Sequence, residues 1–154
     1  MTGYLPPAVL WCDPGGMTGI AIYSGGHLAA DEYAFQDACY LLDGWCRANG
    51  KDLWIGWERY APIPGRPQKD AHTALEPIGV MRYLATLHGC RILPEAQQHT
   101  PDAAECRRLK ALGWWVPGKD DAQSAACHML RWLMREHLLP AREARILAEL
   151  RGVT

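Results

Sequence analysis

The sequence predicts an α/β fold in which helices flank a mixed sheet of five strands. Short apolar runs bounded by glycine and proline open the chain, as expected of buried strands. A helical spacing of apolar residues separates the third run from the fourth, and helical patterns dominate the second half. A chain of 154 residues that is 49% hydrophobic is expected to close one core, so residues 1–154 are predicted to form a single domain.

The first three strands are predicted to form an antiparallel meander. The apolar runs cover residues 8–13, 18–23 and 27–35. A Pro-Gly-Gly segment at 14–16 and a Gly-Gly pair at 25–26 separate them, and both are typical of tight turns. Connections this short join antiparallel neighbours.

A helix and a crossover are predicted next. Apolar residues between 36 and 49 have the spacing of one helix face, and Gly50 follows as the expected helix end. Residues 53–57 resume as a strand, which a strand–helix–strand connection places parallel to an earlier strand, so we expect it beside the first. Residues 60–70 hold three prolines and a glycine, which predicts an exposed loop.

The rest of the chain is predicted to hold four helices and one short strand. Thr73 and Glu76 have the spacing of a capping box, and Pro77 is expected in the first turn of a helix that ends near Gly89. The short strand covers residues 90–93, and the other helices cover residues 101–112, 120–137 and 141–151.

Composition excludes several classes of protein. A formal net charge of −1 argues against a protein that coats nucleic acid through bulk charge, so a DNA-binding role would need a local basic patch. No run approaches the roughly 20 apolar residues of a membrane helix. The first seven residues do not resemble a signal peptide, so a cytoplasmic location without a membrane partner is expected. The six cysteines form no C-x-x-C pair and are expected to be buried free thiols.

Acidic residues at three places are predicted to meet. Asp13 ends the first strand and Glu58 ends the fourth, and the carboxyl ends of neighbouring parallel strands lie side by side. Two carboxylates there repel each other unless a cation or a proton intervenes. Asp120 and Asp121 begin a helix, where the helix dipole favours a carboxylate. Such oxygen ligands select Mg²⁺ or Mn²⁺ and support phosphoryl transfer. Each acid alone also fits a turn, an ion pair or a helix cap, so the prediction depends on their joint placement.

The motifs around these acids resemble those of a known family. Residues 13–21, Asp-Pro-Gly-Gly-Met-Thr-Gly-Ile-Ala, resemble the D-P-G-x-x-x-T-G opening of RuvC-type Holliday junction resolvases, especially the bacteriophage members of this part of the RNase H-like superfamily. Residues 57–59, Trp-Glu-Arg, are similar to their strand-borne glutamate. Residues 121–126 are similar to the D-A-x-x-A-A start of their last catalytic helix, and the resemblance covers residues 8–133.

The resemblance implies an RNase H-like fold and a metal-dependent endonuclease that cleaves Holliday junctions and other branched DNA. It implies a homodimer, acting in the cytoplasm of a bacterial or phage-infected cell. It also implies that Asp13, Glu58 and Asp121 are the catalytic residues and hold Mg²⁺ or Mn²⁺.

The chain departs from the family pattern at one position. The family's fourth ligand lies three residues before the helix aspartate, where this chain has Gly118. Three explanations stay open. Asp120 replaces that ligand, Lys119 acts beside the metal, or three carboxylates suffice.

Basic and aromatic residues are the candidate DNA contacts. Tyr60, Arg66 and Lys69 lie in the proline-rich loop, where they are expected to contact phosphates or stack on an unpaired base, although a solvated loop explains them equally well. Arg107 and Lys110 are candidates for extending a phosphate track, although such charges are also common on a soluble helix face.

Other interpretations stay open beside the leading one. A flap, fork or single-strand nuclease of the same fold is one, and a junction-binding protein without catalysis is another. The Asp-x-Gly-x-x-Thr-Gly pattern of residues 13–19 also resembles the phosphate loop of actin-like ATPases and sugar kinases. Those proteins need two such domains and a second glycine-rich motif, so no nucleotide cofactor is expected here. His128 lies two helical turns after Asp121, so it either approaches the site or packs in the core.

Overall fold

A mixed sheet of five strands, in the order β3-β2-β1-β4-β5, lies at the centre of the protein. The computed structural model describes residues 8–62, 64–65 and 71–152. The strands are β1 (Ala8–Asp13), β2 (Met17–Ser24), β3 (His27–Ala34), β4 (Leu53–Trp57) and β5 (Arg91–Ile92). The helices are α1 (Phe35–Asn49), α2 (Ala71–His88), α3 (Ala103–Leu112), α4 (Asp120–Arg135) and α5 (Ala141–Arg151). Within the described residues, no helix has the length and apolar character needed to cross a membrane.

The strand pairing confirms the predicted meander and crossover. β1 pairs with β2 and β2 with β3, both antiparallel. Gly25 and Gly26 join β2 to β3 with φ angles of +58° and +84°, the left-handed backbone that a two-residue hairpin turn needs. After α1, β4 pairs with β1 in parallel, and β5 pairs with β4 in the same sense. The predicted α/β class with a five-stranded mixed sheet is therefore confirmed.

The two faces of the sheet are covered by different helices. Side chains alternate along β1, so Leu10 and Cys12 pack with α1 and α2, whereas Val9 and Trp11 pack with the face covered by α3, α4 and α5. Asp13 has the same parity as Trp11, which directs it to the α4 face. The first half of the chain after the meander therefore covers one face, and the second half covers the face where the acids lie.

The start of α2 was predicted wrongly. The helix begins at Ala71, so Thr73 and Glu76 lie inside it instead of forming a capping box, and Pro77 is an interior residue. Proline lacks the N–H that would bond one turn back. Helix α2 nevertheless continues through Pro77, because Met81 and Ala85 are fully buried against the sheet. Burial of this kind outweighs the local cost of the proline, about 3 kcal/mol.

The other helices begin or end within one or two residues of the predicted positions. The capping box occurs in α3 instead, where the Asp102 carboxylate accepts from Glu105 N–H at 2.8 Å and Glu105 Oε2 accepts from Asp102 N–H at 3.0 Å. The cysteines are free thiols as predicted, with Cys12, Cys46, Cys90 and Cys127 buried and Cys39 and Cys106 half-buried.

Candidate functional site

Two strand ends bring Asp13 and Glu58 to the same edge of the sheet. Cys12 of β1 lies opposite Trp57 of β4, so the next residue along each strand is an acid. The backbone N–H of Glu58 continues the ladder by donating to the Cys12 carbonyl at 3.0 Å. The parallel pairing therefore places both carboxylates at the carboxyl ends of neighbouring strands.

A glycine in β2 lets α4 deliver a third acid. Gly19 pairs with Asp13 across β1 and β2. A Cβ atom on Gly19 would overlap the backbone carbonyl of Asp121, closer than non-bonded atoms approach. The first turn of α4 therefore packs directly on the backbone of Gly19. This contact places Asp121 over β2, the strand that pairs with the strand of Asp13.

A fourth acid, Glu32 of β3, joins this row, although it was not predicted from the sequence. Glu32 pairs with Gly19 from the opposite side to Asp13. Its Oε1 accepts the backbone N–H of Asp121 at 2.8 Å, which supplies a cap that the N-cap residue Lys119 does not provide with its own side chain. The two-residue turn at 25–26 was the available signal, because counting back from it pairs Glu32 with Gly19.

The electrostatics of the site show unneutralised carboxylates held close together. The pKa of Asp13 is raised to about 7, chiefly by burial and then by the Glu58, Asp121 and Glu32 carboxylates, while a hydrogen bond with the Ser124 side chain opposes the shift. Burial also raises the pKa of Asp121, followed by repulsion from Glu32 and its neighbours in the site. A site of this kind stabilises either a proton or a cation.

The residues of the site fit a hard divalent cation. Asp13, Glu58 and Asp121 line one cavity of about 610 Å³, together with Asp120 and Ser124. All of these side chains offer oxygen atoms, which is the ligand set that Mg²⁺ and Mn²⁺ prefer. A bound cation would lower the raised pKa of Asp13, because positive charge favours the ionised carboxylate.

Two histidines hold Glu58 from behind. His128 Nε2 lies 2.7 Å from Glu58 Oε2, and His99 donates its backbone N–H to the same oxygen at 3.1 Å. The imidazole of His128 stacks on Trp11 with 6.1 Å between ring centroids. Trp11 in turn lies across Gly56, where a Cβ atom would overlap its ring. Both explanations given for His128 therefore apply, since it is packed in the core and contacts the site.

A second group of potential ligands lies behind His99. Among the described residues, the ligand atoms of His99, Glu105 and Cys127 all come within 4.8 Å of one another, which those of the predicted acids do not. The charge of Glu105 is paired with Arg131, whose Nε lies 3.2 Å away, and the same carboxylate lies 2.6 Å from His99 Nε2. Burial raises the pKa of Cys127 to about 12, so the residue stays a neutral thiol. This chemistry supports a hydrogen-bonded brace for His99 rather than a metal site.

The residues suggested in place of a fourth ligand, Lys119 and Asp120, occupy the two positions before Asp121. Asp120 is exposed and lines the acidic cavity, and its charge contributes to the raised pKa of Asp121. The ammonium of Lys119 forms an ion pair with Asp31 of β3, which turns it towards the strand of Glu32. Gly118 has a φ of +72°, a backbone conformation that residues with a side chain, such as the family's aspartate or histidine ligand, rarely adopt.

The predicted DNA contacts are scattered. Tyr60 is half-buried and packs with the core cluster on the α1 and α2 face, whereas Arg66 and Lys69 lie outside the described residues. On α3, Arg107 is exposed, and the ammonium of Lys110 lies 4.7 Å from the centre of the Trp115 ring. The described residues among them do not line the acidic cavity.

Comparison with known proteins identifies the fold. The sequence matches no protein-family model and no curated protein sequence. Among solved structures, it is similar to Thermus thermophilus RuvC, with a TM-score of 0.58, 12% identity, and coverage of 85% of this chain and 97% of that one. It is also similar to T. thermophilus RuvC in complex with a Holliday junction substrate, with a TM-score of 0.51, 14% identity, and coverage of 82% and 95%. The chain therefore has a RuvC-like, RNase H-like fold, as the resemblance of its motifs implied.

Proposed function

We propose that this protein is a divalent-metal-dependent endonuclease that cleaves Holliday junctions and other branched DNA. The observation that carries the proposal is the convergence of Asp13, Glu58 and Asp121 on one cavity at the edge of a RuvC-like sheet. The junction-bound T. thermophilus RuvC is a structural neighbour that acts on this class of DNA. We place the whole activity in one domain and in the cytoplasm of a bacterial or phage-infected cell.

The carboxylates of Asp13, Glu58 and Asp121 would hold Mg²⁺ or Mn²⁺. Such an ion, when bound, supplies Lewis-acid activation of water and of the phosphodiester. The chain's own residues prepare the site for it. His128 and the His99 backbone hold one oxygen of Glu58, which leaves the other oxygen for the cavity. The Glu32 carboxylate fixes the first turn of α4 and therefore the position of Asp121.

We propose that two copies of this chain form a homodimer through α2. The buried stripe of α2 packs on its own sheet, but a separate face carries exposed apolar residues at a spacing of four and eight. Leu75, Tyr83 and Leu87 are 51%, 65% and 58% exposed, and Gly79 between them is exposed as well. Because α2 and α4 cover opposite faces of the sheet, pairing through α2 would leave both acidic sites open to DNA.

A substrate panel tests the proposed function. Four-way junctions, forks, flaps and linear duplexes are incubated with the protein in Mg²⁺, Mn²⁺ or EDTA. We expect cleavage of the junction in Mg²⁺ or Mn²⁺ and none in EDTA. Better cleavage of forks or flaps would favour the broader nuclease, and binding without cleavage in either metal would favour the non-catalytic protein.

The variant Asp13→Asn is expected to lose junction cleavage by at least two orders of magnitude while still binding the junction, because it removes one metal-binding carboxylate but no surface charge elsewhere. Gel assays of cleavage and of binding measure the two effects. Asp43→Asn on α1, away from the acidic cavity, is the matched control and should cleave normally. Undiminished cleavage by Asp13→Asn would contradict the proposed metal site.

A further inference from the structure

A second cavity adjoins the acidic one. It measures about 610 Å³ and lies between the segment after β5 and the exposed side of α4, where His128, Arg131 and Arg135 line it. Gln98 and His99 line both this cavity and the acidic cavity. The two cavities therefore share a wall at the point where the His99 backbone contacts Glu58.

Arginines follow this cavity along α4. Arg131 lies one helical turn beyond His128, and Arg135 lies about 6 Å further along the axis, close to the spacing of successive phosphates in a nucleic-acid strand. Each arginine forms its ion pair through Nε, with Glu105 and Glu136 respectively. A guanidinium group carries further N–H donors on its two terminal nitrogens, and its planar fork suits phosphate oxygens.

A third arginine continues the row beyond α4. The next cavity shares Pro94 and Trp132 with the previous one and is lined by Arg91 and Trp54. The guanidinium of Arg91 lies over the Trp54 ring at 4.0 Å from its centre. Stacking of this kind holds the cation in place before a ligand arrives, which lowers the entropy cost of binding.

These arginines stand out against the charge of the whole chain. The formal net charge is −1, and the adjoining cavity is acidic. Glu95 also lines the groove, but it accepts a hydrogen bond from Trp57 Nε1 and forms an ion pair with Arg82. Glu105 and Glu136 pair with Arg131 and Arg135, and Glu136 also lines the next cavity, so the groove keeps a positive excess of one arginine together with the terminal N–H donors of the other two.

We propose that Arg91, Arg131 and Arg135, here called the arginine track, bind the sugar–phosphate backbone of the DNA strand that leads away from the cleaved bond. This proposal rests on the proposed function, since the acidic cavity defines where the track begins. Phosphate contacts of this type position a strand without reading its sequence. The track therefore sets the register of the strand in the site and not the choice of bases.

The test compares junction binding by wild-type protein and by the double variant Arg91→Ala/Arg135→Ala. Arg131 is kept because it braces Glu105. Fluorescence anisotropy of a labelled four-way junction is measured in EDTA between 50 and 200 mM salt. The logarithm of the association constant falls as the logarithm of the salt concentration rises. Loss of two phosphate contacts should make this negative slope shallower by about 1.4–1.8 and weaken binding roughly tenfold at physiological salt.

Matched variants separate charge from folding. Arg47→Ala/Arg145→Ala removes two exposed, acid-paired arginines from α1 and α5 and should bind like wild type. Arg91→Lys/Arg135→Lys keeps both charges and should retain most of the salt slope. An equal loss in the α1 and α5 control, or a wild-type slope in the alanine double variant, would overturn the proposal.

Substituted DNA locates the contact. Neutral methylphosphonate linkages are placed beside the bond that the wild-type protein cuts. They should weaken wild-type binding but have little further effect on the alanine double variant, because both changes remove the same contacts. Additive losses would place the arginines elsewhere on the DNA and refute the track. If the wild-type protein neither binds nor cuts branched DNA, the proposed function itself fails, whereas normal cutting with unaffected double-variant binding refutes the track alone.

Discussion

Single glycines decide how closely the parts of the site approach one another. Gly19 has no side chain to separate β2 from the first turn of α4, and Gly56 leaves room for the Trp11 ring between β4 and α4. The first contact positions Asp121, and the second supports the stack of Trp11 on His128 that holds Glu58. At the residue scale, the positions of the acids therefore depend on Gly19 and Gly56, which have no reactive side chain themselves.

Gly19→Ala is expected to damage the site more than its small size suggests. The added methyl group meets backbone atoms of Asp121, which cannot rotate away, so α4 must shift. We expect the free energy of unfolding to fall by about 1–3 kcal/mol and Mg²⁺-dependent cleavage to fall tenfold or more. Urea unfolding and junction cleavage measure the two effects. Gly44→Ala in α1, where a Cβ atom meets nothing within 4 Å, is the control and should be neutral or stabilising; matching losses there would refute the argument.

The raised pKa of Asp13 predicts an unusual pH dependence for the metal-free protein. The native carboxyl titrates at about 7 against an ordinary value of 3.8, so the folded state binds the proton more tightly. The resulting stability is complete below about pH 4 and is lost as the pH rises through 7. Asp13→Asn carries no charge at any pH, so it should become more stable than wild type by up to about 4 kcal/mol between pH 4 and 8.

Unfolding by urea in EDTA across that pH range measures the effect of Asp13. Added Mg²⁺ should restore the stability of the wild-type protein at pH 8 and have much less effect on the variant, because the cation takes the place of the proton. A constant difference between the two proteins from pH 4 to 8 would show that Asp13 titrates normally.

At the scale of elements, the β2–β3 hairpin and α4 form one unit. The hairpin turn sets the register that places Glu32 beside Gly19, and Glu32 then caps α4 through the Asp121 N–H. A helix N-terminus needs acceptors for its free N–H groups, and here the acceptor comes from a strand about 90 residues earlier in the chain. The helix that carries Asp121 is therefore positioned by β3 as well as by its own sequence.

Glu32→Ala and Glu32→Gln are expected to differ. The alanine variant loses the cap and should lose about 1 kcal/mol of unfolding free energy together with cleavage activity. The glutamine variant keeps an amide oxygen that accepts the same N–H, so it should retain nearly all of the wild-type stability. Urea unfolding of the metal-free proteins makes the comparison, and equal destabilisation by both variants would show that the hydrogen bond is not the cause.

At the scale of the whole molecule, the sheet separates two tasks. The face covered by α3, α4 and α5 carries the acids and the arginine track, and the face covered by α1 and α2 carries the exposed apolar stripe of Leu75, Tyr83 and Leu87. This arrangement lets a dimer form without covering either site.

Tyr83→Lys is expected to convert a dimer into a monomer. The wild-type chain should elute with about twice its 17.2 kDa mass in size-exclusion chromatography with light scattering, and the variant with the mass of one chain, because a buried charge at an apolar interface is costly. The variant should still nick junctions but no longer cut both strands together. Phe35→Lys, at another exposed apolar residue, is the control. A monomeric wild-type protein would refute this assembly.

Much of the fold could be predicted from the sequence because its signals are local. Apolar runs with glycine turns predicted the strands, and helical spacing predicted the helices, with the start of α2 as the clear error because tertiary burial outweighed a local proline. Asp13, Glu58 and Asp121 were recognisable because each sits at the end of such an element.

The sequence by itself therefore determined the elements, their order and the acids at their ends. Only the tertiary structure decided that Glu32 joins the row, that His99 and His128 hold Glu58, and that Arg91 lies near the arginines of α4. The contacts of His99 and His128 with Glu58 and of Glu32 with Asp121 span 41, 70 and 89 residues of sequence, and no local pattern records a contact of that kind. Short motifs supply the acidic residues of the site, but the geometry of the site depends on how the strands pair and on which helix packs against the sheet.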